Sequence, residues 1–282
     1  MQATWVFDDF GRGVHQRDLV MLLASVKLWS IHCPDTSRVL YCSDALGNAV
    51  VSSGESKLFD NLILLPNRAK YPINSQVFWA YPKLEVLAQL QNPTYLIDHD
   101  FMVFEDIRKS IPENRICYCY TEDSRQYYPG NQDSYIKNLN YRTRWPEKSA
   151  NVSFLQLPFP EFTQFYAGTS LQIMEELTEL KAPDARYLIF AEQMVFKHLL
   201  DTVPTYSCLI KNEYECRSES WTENLDENGI WTLEEAWGKK FIHYGPVKKR
   251  WTKATYDREL SVLCDLAGFS QDLIRKTDYL RK

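Results

Sequence analysis

The sequence predicts an α/β fold: a central, mainly parallel mixed sheet flanked by helices and followed by a helical C-terminal tail. Three observations lead there. Short apolar strands alternate with helical patterns over the first hundred residues, the signature of crossover units in a parallel sheet. The run "TYLIDHDFMVF" at 94–104 is apolar at both ends, as a central strand covered on both faces should be. The chain of 282 residues, 45 % hydrophobic, is long enough to bury a sizeable core.

The elements follow in order. "TWVFDDF" (4–10) reads as a first strand that ends in acids and meets Gly11 and Gly13. "RDLVMLLASVKLWSIH" (17–32) repeats apolar residues at helical spacing, and Pro34 stops it. "SRVLYCSD" (37–44) and "DNLILLP" (60–66) read as the second and third strands. "NSQVFWAYPKLEVLAQLQ" (74–91) reads as a helix with Pro82 as a defect, and 94–104 as one continuous strand after it. Further on, "RICYCYT" (115–121), "NVSFLQLP" (151–158) and "KKFIHYG" (239–245) are expected strands. Residues 161–181, 185–202 and 254–280 are expected helices, and 122–149 a polar, aromatic loop. No repeat or low-complexity linker interrupts the chain, so a single domain over 1–282 is expected, with 254–282 as its helical extension.

The net charge of −5 argues against a nucleic-acid partner and against a basic membrane-surface domain, although "KKRWTK" (248–253) is locally basic. No apolar run approaches the ~18–20 residues of a transmembrane helix. The opening "MQATWVFDDF" lacks the basic and apolar regions of a secretion signal. Seven cysteines, at 33, 42, 117, 119, 208, 216 and 264, lack zinc-site spacing. Their odd number and apolar surroundings suggest buried, reduced thiols and a cytoplasmic setting.

Asp98 and Asp100 carry the chemistry. As residues i and i+2 of a strand they should share a face, with His99 on the other. They sit at the carboxyl end of that strand, the edge where open α/β sheets bind ligands. Adjacent carboxylates repel unless a cation bridges them, and Mg²⁺ and Mn²⁺ favour oxygen ligands, often with substrate phosphates among them. For so short a pattern, pairing with Arg or Lys, or capping of a loop, stands as the alternative. In "FIHYGPVKKRW" (241–251), His243 offers an imidazole nitrogen, Gly245 a close backbone approach and Lys248 a positive charge. The plainer alternative is an edge-of-core histidine before a solvated basic turn.

In combination these stretches resemble the GT-A glycosyltransferases, the nucleotide-diphospho-sugar transferases, and most of all their retaining branches. "SVKLWSIHCPDTSRVLYCSD" (25–44) is similar to the first helix and second strand of that family. "FWAYPKLEVLAQLQNPTYLIDHDFMVFEDI" (78–107) resembles the helix leading into its Asp-x-Asp strand. "NVSFLQLP" (151–158), "AEQMVFKHLL" (191–200) and "HYGPVKKRW" (243–251) resemble its Asn-containing strand, its acid-Gln helix and its late His-Gly-Lys element.

The resemblance implies a GT-A, Rossmann-like fold and a metal-dependent transfer of sugar from a nucleotide-diphosphate sugar. A UDP-sugar is the expected donor, Mn²⁺ or Mg²⁺ the cation, and a glycan, glycolipid or protein the acceptor, as in polysaccharide biosynthesis. Asp98, Asp100 and His243 would hold the metal, and Lys248 would neutralise the departing diphosphate. Gly245 would approach a phosphate and Asp8 the nucleotide. Lys83 would contact a phosphate or brace an Asp. Asn151, Glu192 and Gln193 would face the sugar or the acceptor, with Glu192 as the carboxylate near the reacting carbon. A catalytically inactive GT-A-like scaffold that binds carbohydrate or protein is the competing reading. A metal-dependent phosphoesterase would need more acid and His ligands than one Asp pair and five His suggest.

Overall fold

The computed structural model describes residues 1–66, 73, 77–123, 145–179, 185–202, 214–215, 240–244 and 252–273. The chain divides into two compact units, each discontinuous in sequence: Met1–Pro66 with Tyr95–Glu113 and Cys216–Lys282, and Asn67–Thr94 with Asn114–Glu215.

The first unit alternates strand and helix as its sequence pattern requires: β1 (Gln2–Phe7), α1 (Gln16–His32), β2 (Ser37–Cys42), α2 (Asp44–Ser53) and β3 (Asn61–Leu64). β4 (Thr94–Ile97) follows, and the strand order is β3-β2-β1-β4. β1 runs parallel to β2, with Gln2 opposite Ser37, and β2 parallel to β3. α1 buries the unbroken run Leu19–Val26 together with Leu28 and Trp29. One polar group sits inside that face: Ser25 Oγ accepts from Trp5 Nε1 at 3.0 Å and donates to the Phe101 carbonyl at 2.7 Å. A buried hydroxyl is tolerated because both its donor and its acceptor capacity are used. Ser43 caps α2 by accepting from Leu46 N–H at 3.4 Å, so Asp44 opens a helix and does not end a strand.

The run 94–104 is two strands. β4 ends at Ile97, residues 98–100 turn, and β5 (Phe101–Val103) leaves to pair with β9 (Phe241–His243). The turn is closed by Phe101 N–H donating to the Asp98 carbonyl at 3.1 Å. The unit also holds α7 (Lys253–Ala267), capped by Thr252 and ended by Gly268, whose φ of +68° lies in the left-handed region that glycine enters at little cost. Residues 274–282 of the expected tail lie outside the described residues.

The second unit holds α3 (Tyr81–Gln89), β6 (Cys117–Asp123), β7 (Lys148–Leu157), α4 (Pro160–Thr178) and α5 (Ala185–Ile189). A π-helical turn (Phe190–Met194), α6 (Val195–Thr202) and β8 (Tyr214–Glu215) complete it. β6 pairs antiparallel with β7 and parallel with β8, so the pairing in this unit is mixed, whereas the β1–β2 and β2–β3 pairs of the first unit are parallel. Nine of the ten residues of β7 are buried, as expected of a strand covered on both faces. The helix expected over 74–91 begins at Tyr81. Pro82 falls in its first turn, where a missing N–H loses no intrahelical bond, so the proline starts the helix and is no defect. Gln164 Nε2 of α4 donates to the Leu90 carbonyl at 2.8 Å, tying the end of α3 to its neighbour.

Cys33, Cys42, Cys117, Cys119 and Cys264 are buried thiols, in line with the sequence; Cys208 and Cys216 lie outside the described residues. Burial pushes the Cys33 and Cys42 thiols up to about 12, which leaves them unreactive near neutrality. Among the described residues no helix is long and apolar enough to cross a membrane.

Candidate functional site

Two groups of the expected residues are assembled, one in each unit. In the first unit, the turn between β4 and β5 carries Asp98 and Asp100. The antiparallel register then sets Phe101 opposite His243. Tyr244 N–H donates to the Asp100 carbonyl at 3.1 Å, fixing the end of β9 on the turn. His243 Nε2 consequently lies 3.6 Å from Asp100 Oδ1, although 142 residues of chain separate the two. The expectation that Asp98 and Asp100 share a face of one strand is corrected: they converge because the chain turns there.

Asp98, Asp100 and His243 each offer a ligand atom within 4.8 Å of the others. Ligand atoms around one divalent cation, bound at about 2.0–2.6 Å, lie no more than roughly 5 Å apart. Two carboxylates and an imidazole are donors that Mg²⁺, Mn²⁺ and related ions accept. His243 Nδ1 is buried and has no hydrogen-bond partner among the described residues. Asp100 is 4 % exposed, and a buried carboxylate needs a compensating charge or hydrogen bonds. The donor set therefore fits a divalent cation. His99 stands apart from it: its ring meets Phe7 edge-on at 4.7 Å, and Nε2 is 3.9 Å from Asp18 Oδ1.

Asp8 lies at the end of β1, also in the first unit. Its Oδ1 accepts from Phe10 N–H at 2.5 Å, and Asp9 Oδ2 accepts from Gly13 N–H at 2.9 Å. Phe10 itself has a φ of +53°, an uncommon conformation for a bulky residue, so the two acids hold a strained turn at the carboxyl end of β1.

In the second unit, Lys83 of α3 and Glu192 of the π-turn form an ion pair, Nζ to Oε1 2.7 Å, with side chains 12 % and 7 % exposed. Gln193 Oε1 accepts from Ser149 Oγ at 3.4 Å. Asn151 is held on three sides. Its Nδ2 donates to Tyr120 Oη at 3.1 Å and to Glu122 Oε1 at 2.6 Å, and its Oδ1 accepts from Ser153 N–H at 3.1 Å. A bulge explains the arrangement. The register shifts between Tyr118 and Tyr120, and Asn151 then stands opposite Tyr120.

Glu122, Tyr120, Ser149 and Ser153 are polar neighbours that reading the sequence missed. The i, i+2 alternation Tyr118, Tyr120, Glu122 in "CYCYTED" was the available signal. Gly245 and Lys248 lie outside the described residues, as do Tyr127, Tyr128, Tyr135 and Tyr141 of the expected loop. Trp145, from the same loop, is described: its ring packs 4.8 Å from Phe190 and 4.4 Å from His198.

No protein-family model matches the chain, and no curated protein matches it by sequence. Solved structures do match in fold. The galactosyltransferase LgtC, in complex with donor and acceptor sugar analogs, is 12 % identical over 98 % of this chain and 100 % of its own, with a TM-score of 0.54. The bifunctional glycosyltransferase WbbM is 11 % identical over 99 % of this chain and 51 % of its own, with a TM-score of 0.54. The glycosyltransferase GlyE of Streptococcus pneumoniae is 11 % identical over 97 % of this chain and 62 % of its own, with a TM-score of 0.50. All three are glycosyltransferases. With the strand order of the first unit and the Asp-x-Asp turn in place, the chain has the fold of the GT-A glycosyltransferases.

Proposed function

We propose that the chain is a metal-dependent glycosyltransferase that moves a sugar from a nucleotide-diphosphate sugar, a UDP-sugar foremost, to a glycan, glycolipid or protein acceptor. One observation carries the reading: Asp98, Asp100 and His243 bring three ligand atoms within 4.8 Å at the edge of a GT-A-like fold. A bound Mn²⁺ or Mg²⁺ supplies positive charge to the donor's two phosphates as the nucleoside diphosphate departs. The chain's own residues do the rest. Asp98 and Asp100 would hold the cation through carboxylate oxygens and His243 through an imidazole nitrogen. Asp8 borders the nucleotide. Gly245 admits a phosphate close to the backbone, and Lys248 offsets the charge that develops on the leaving group.

Glu192 and Gln193 are the proposed residues beside the reacting sugar. The 2.7 Å pair supports Lys83 as a brace of Glu192, rather than of an Asp or at a phosphate, because its ammonium already offsets the Glu192 carboxylate. Asn151 has both amide hydrogens engaged by Tyr120 and Glu122, so its role toward a sugar hydroxyl is that of acceptor.

A hydrolysis screen of nucleotide sugars, with and without Mn²⁺, tests the function. Release of nucleoside diphosphate that needs the metal and is lost in Asp98→Ala is the expected result. Calorimetry that finds neither UDP nor GDP binding in the presence of Mn²⁺ would sink the reading for those donors.

A further inference from the structure

The turn that carries Glu192 is wound differently from the helices on either side. Val195 N–H donates to the Phe190 and Glu192 carbonyls and bypasses the Ala191 carbonyl that a regular α-helix would use. Such π-turns break the ladder and leave carbonyls in need of other donors. The Glu192 carbonyl, which already accepts from Val195 N–H, takes a second donor from outside the helix. Tyr166 on α4 is 1 % exposed, and its hydroxyl donates to the Glu192 carbonyl at 3.2 Å. The residue whose backbone Tyr166 holds is the one whose side chain meets Lys83. The residue after it meets Ser149.

We propose that Tyr166 is a positioning residue: its buried hydroxyl keeps the turn at Phe190–Met194 in its widened form, and the turn in turn sets the Glu192 carboxylate on Lys83. A regular α-helical turn would rotate Glu192 relative to α3, since each helical residue advances by about 100°. The pair would then open and the Lys83 amine would become available. The inference depends on the glycosyltransferase reading for its kinetic readout alone; the geometry is independent of it.

The test is the acylation rate of the Lys83 amine by an amine-reactive ester, read by peptide mass spectrometry on the full chain. In the wild type Glu192 shields the amine. Glu192→Gln is expected to raise the rate by at least about tenfold, since each 1.4 kcal/mol of lost pairing corresponds to that factor. Tyr166→Phe is expected to raise it by at least about fivefold on the same scale, with near-ultraviolet circular dichroism unchanged. Tyr166→Met serves should the phenylalanine form lose its fold, because it has no hydroxyl to donate and adds no bulk to the buried site; the same rise is expected. A Lys83 rate in the Tyr166 variant equal to that of the wild type overturns the proposal, as does a rate that Glu192→Gln leaves unchanged.

The kinetic readout separates positioning from a merely structural role. Tyr166→Phe should lower kcat for donor hydrolysis about tenfold, leave KM within about twofold, and add nothing in the Glu192→Gln background. A wild type without turnover counts against the proposed function, while the acylation rates still decide this inference.

Discussion

The Asp98–Asp100 turn and the Glu192 π-turn solve the same electrostatic problem in opposite ways. Each places one buried carboxylate, Asp100 or Glu192, where a strand or helix leaves its regular path. At Glu192 the neighbouring charge is a lysine 2.7 Å away, supplied by the chain. At Asp98 and Asp100 the converging groups are a second carboxylate and an imidazole, all of the kind that ligate metals. The difference teaches how to read acids in an α/β core. A carboxylate beside an ammonium is held by a charge of the chain itself, whereas carboxylates gathered with a histidine form a donor set that a divalent cation fits.

Breaking the first site should have the largest effect. Asp100→Ala removes a carboxylate from the three-membered set and is expected to lower metal-dependent turnover by at least about 100-fold, more than the 10–100-fold typical of outer-shell losses. Steady-state assays across a Mn²⁺ series measure it.

Breaking the second should be felt in stability. Lys83→Met leaves Glu192 with an uncompensated buried charge, which costs about 3–5 kcal/mol. The double variant Lys83→Met/Glu192→Leu is expected to recover most of that in urea unfolding. A single variant as stable as the wild type would erase the contrast between the sites.

Ser25→Ala sharpens the comparison from the metal side. It removes the hydroxyl that links Trp5 to the Phe101 carbonyl at the start of β5. A loss of about 1–3 kcal/mol is expected, because a buried carbonyl and an indole N–H lose their partner. Cation affinity should fall with it if β5 holds the turn.

The smallest effect concerns pH. Burial lowers the pKa of His198, against the pull of Asp201. Its folded pKa therefore lies below the unfolded value of about 6.5. The contribution of neutral His198 is full above that pH and is lost as pH falls through the folded pKa. His198→Phe should flatten the acid side of the stability profile, read by thermal melts from pH 7.5 to 5.

Much of this was legible in particular residues. The short apolar runs "TWVFDDF" and "SRVLYCSD" and the longer apolar pattern "RDLVMLLASVKLWSIH" marked β1, β2 and α1, although α1 is buried along an unbroken run and not on one face alone. Asp98, Asp100 and His243 stood out because acids and a histidine inside apolar runs are costly without a ligand. The turn at 98–100 was hidden: "FMV" continues the apolar run of "TYLI", and only pairing with the distant Phe241–His243 separates the two strands. The π-turn was hidden for a similar reason, since "FAEQM" carries no composition cue and its winding depends on a hydroxyl from α4. Lys83 could be read as a phosphate contact or as a brace; its ion pair is a tertiary fact.

Calorimetric titration of Mn²⁺ into chelator-stripped protein, in the wild type and in Asp98→Asn/Asp100→Asn, tests the central claim most directly. The account predicts one Mn²⁺ site in the wild type, UDP binding that requires it, and loss of both in the double variant with melting unchanged. Equal Mn²⁺ affinity in the two proteins would contradict it.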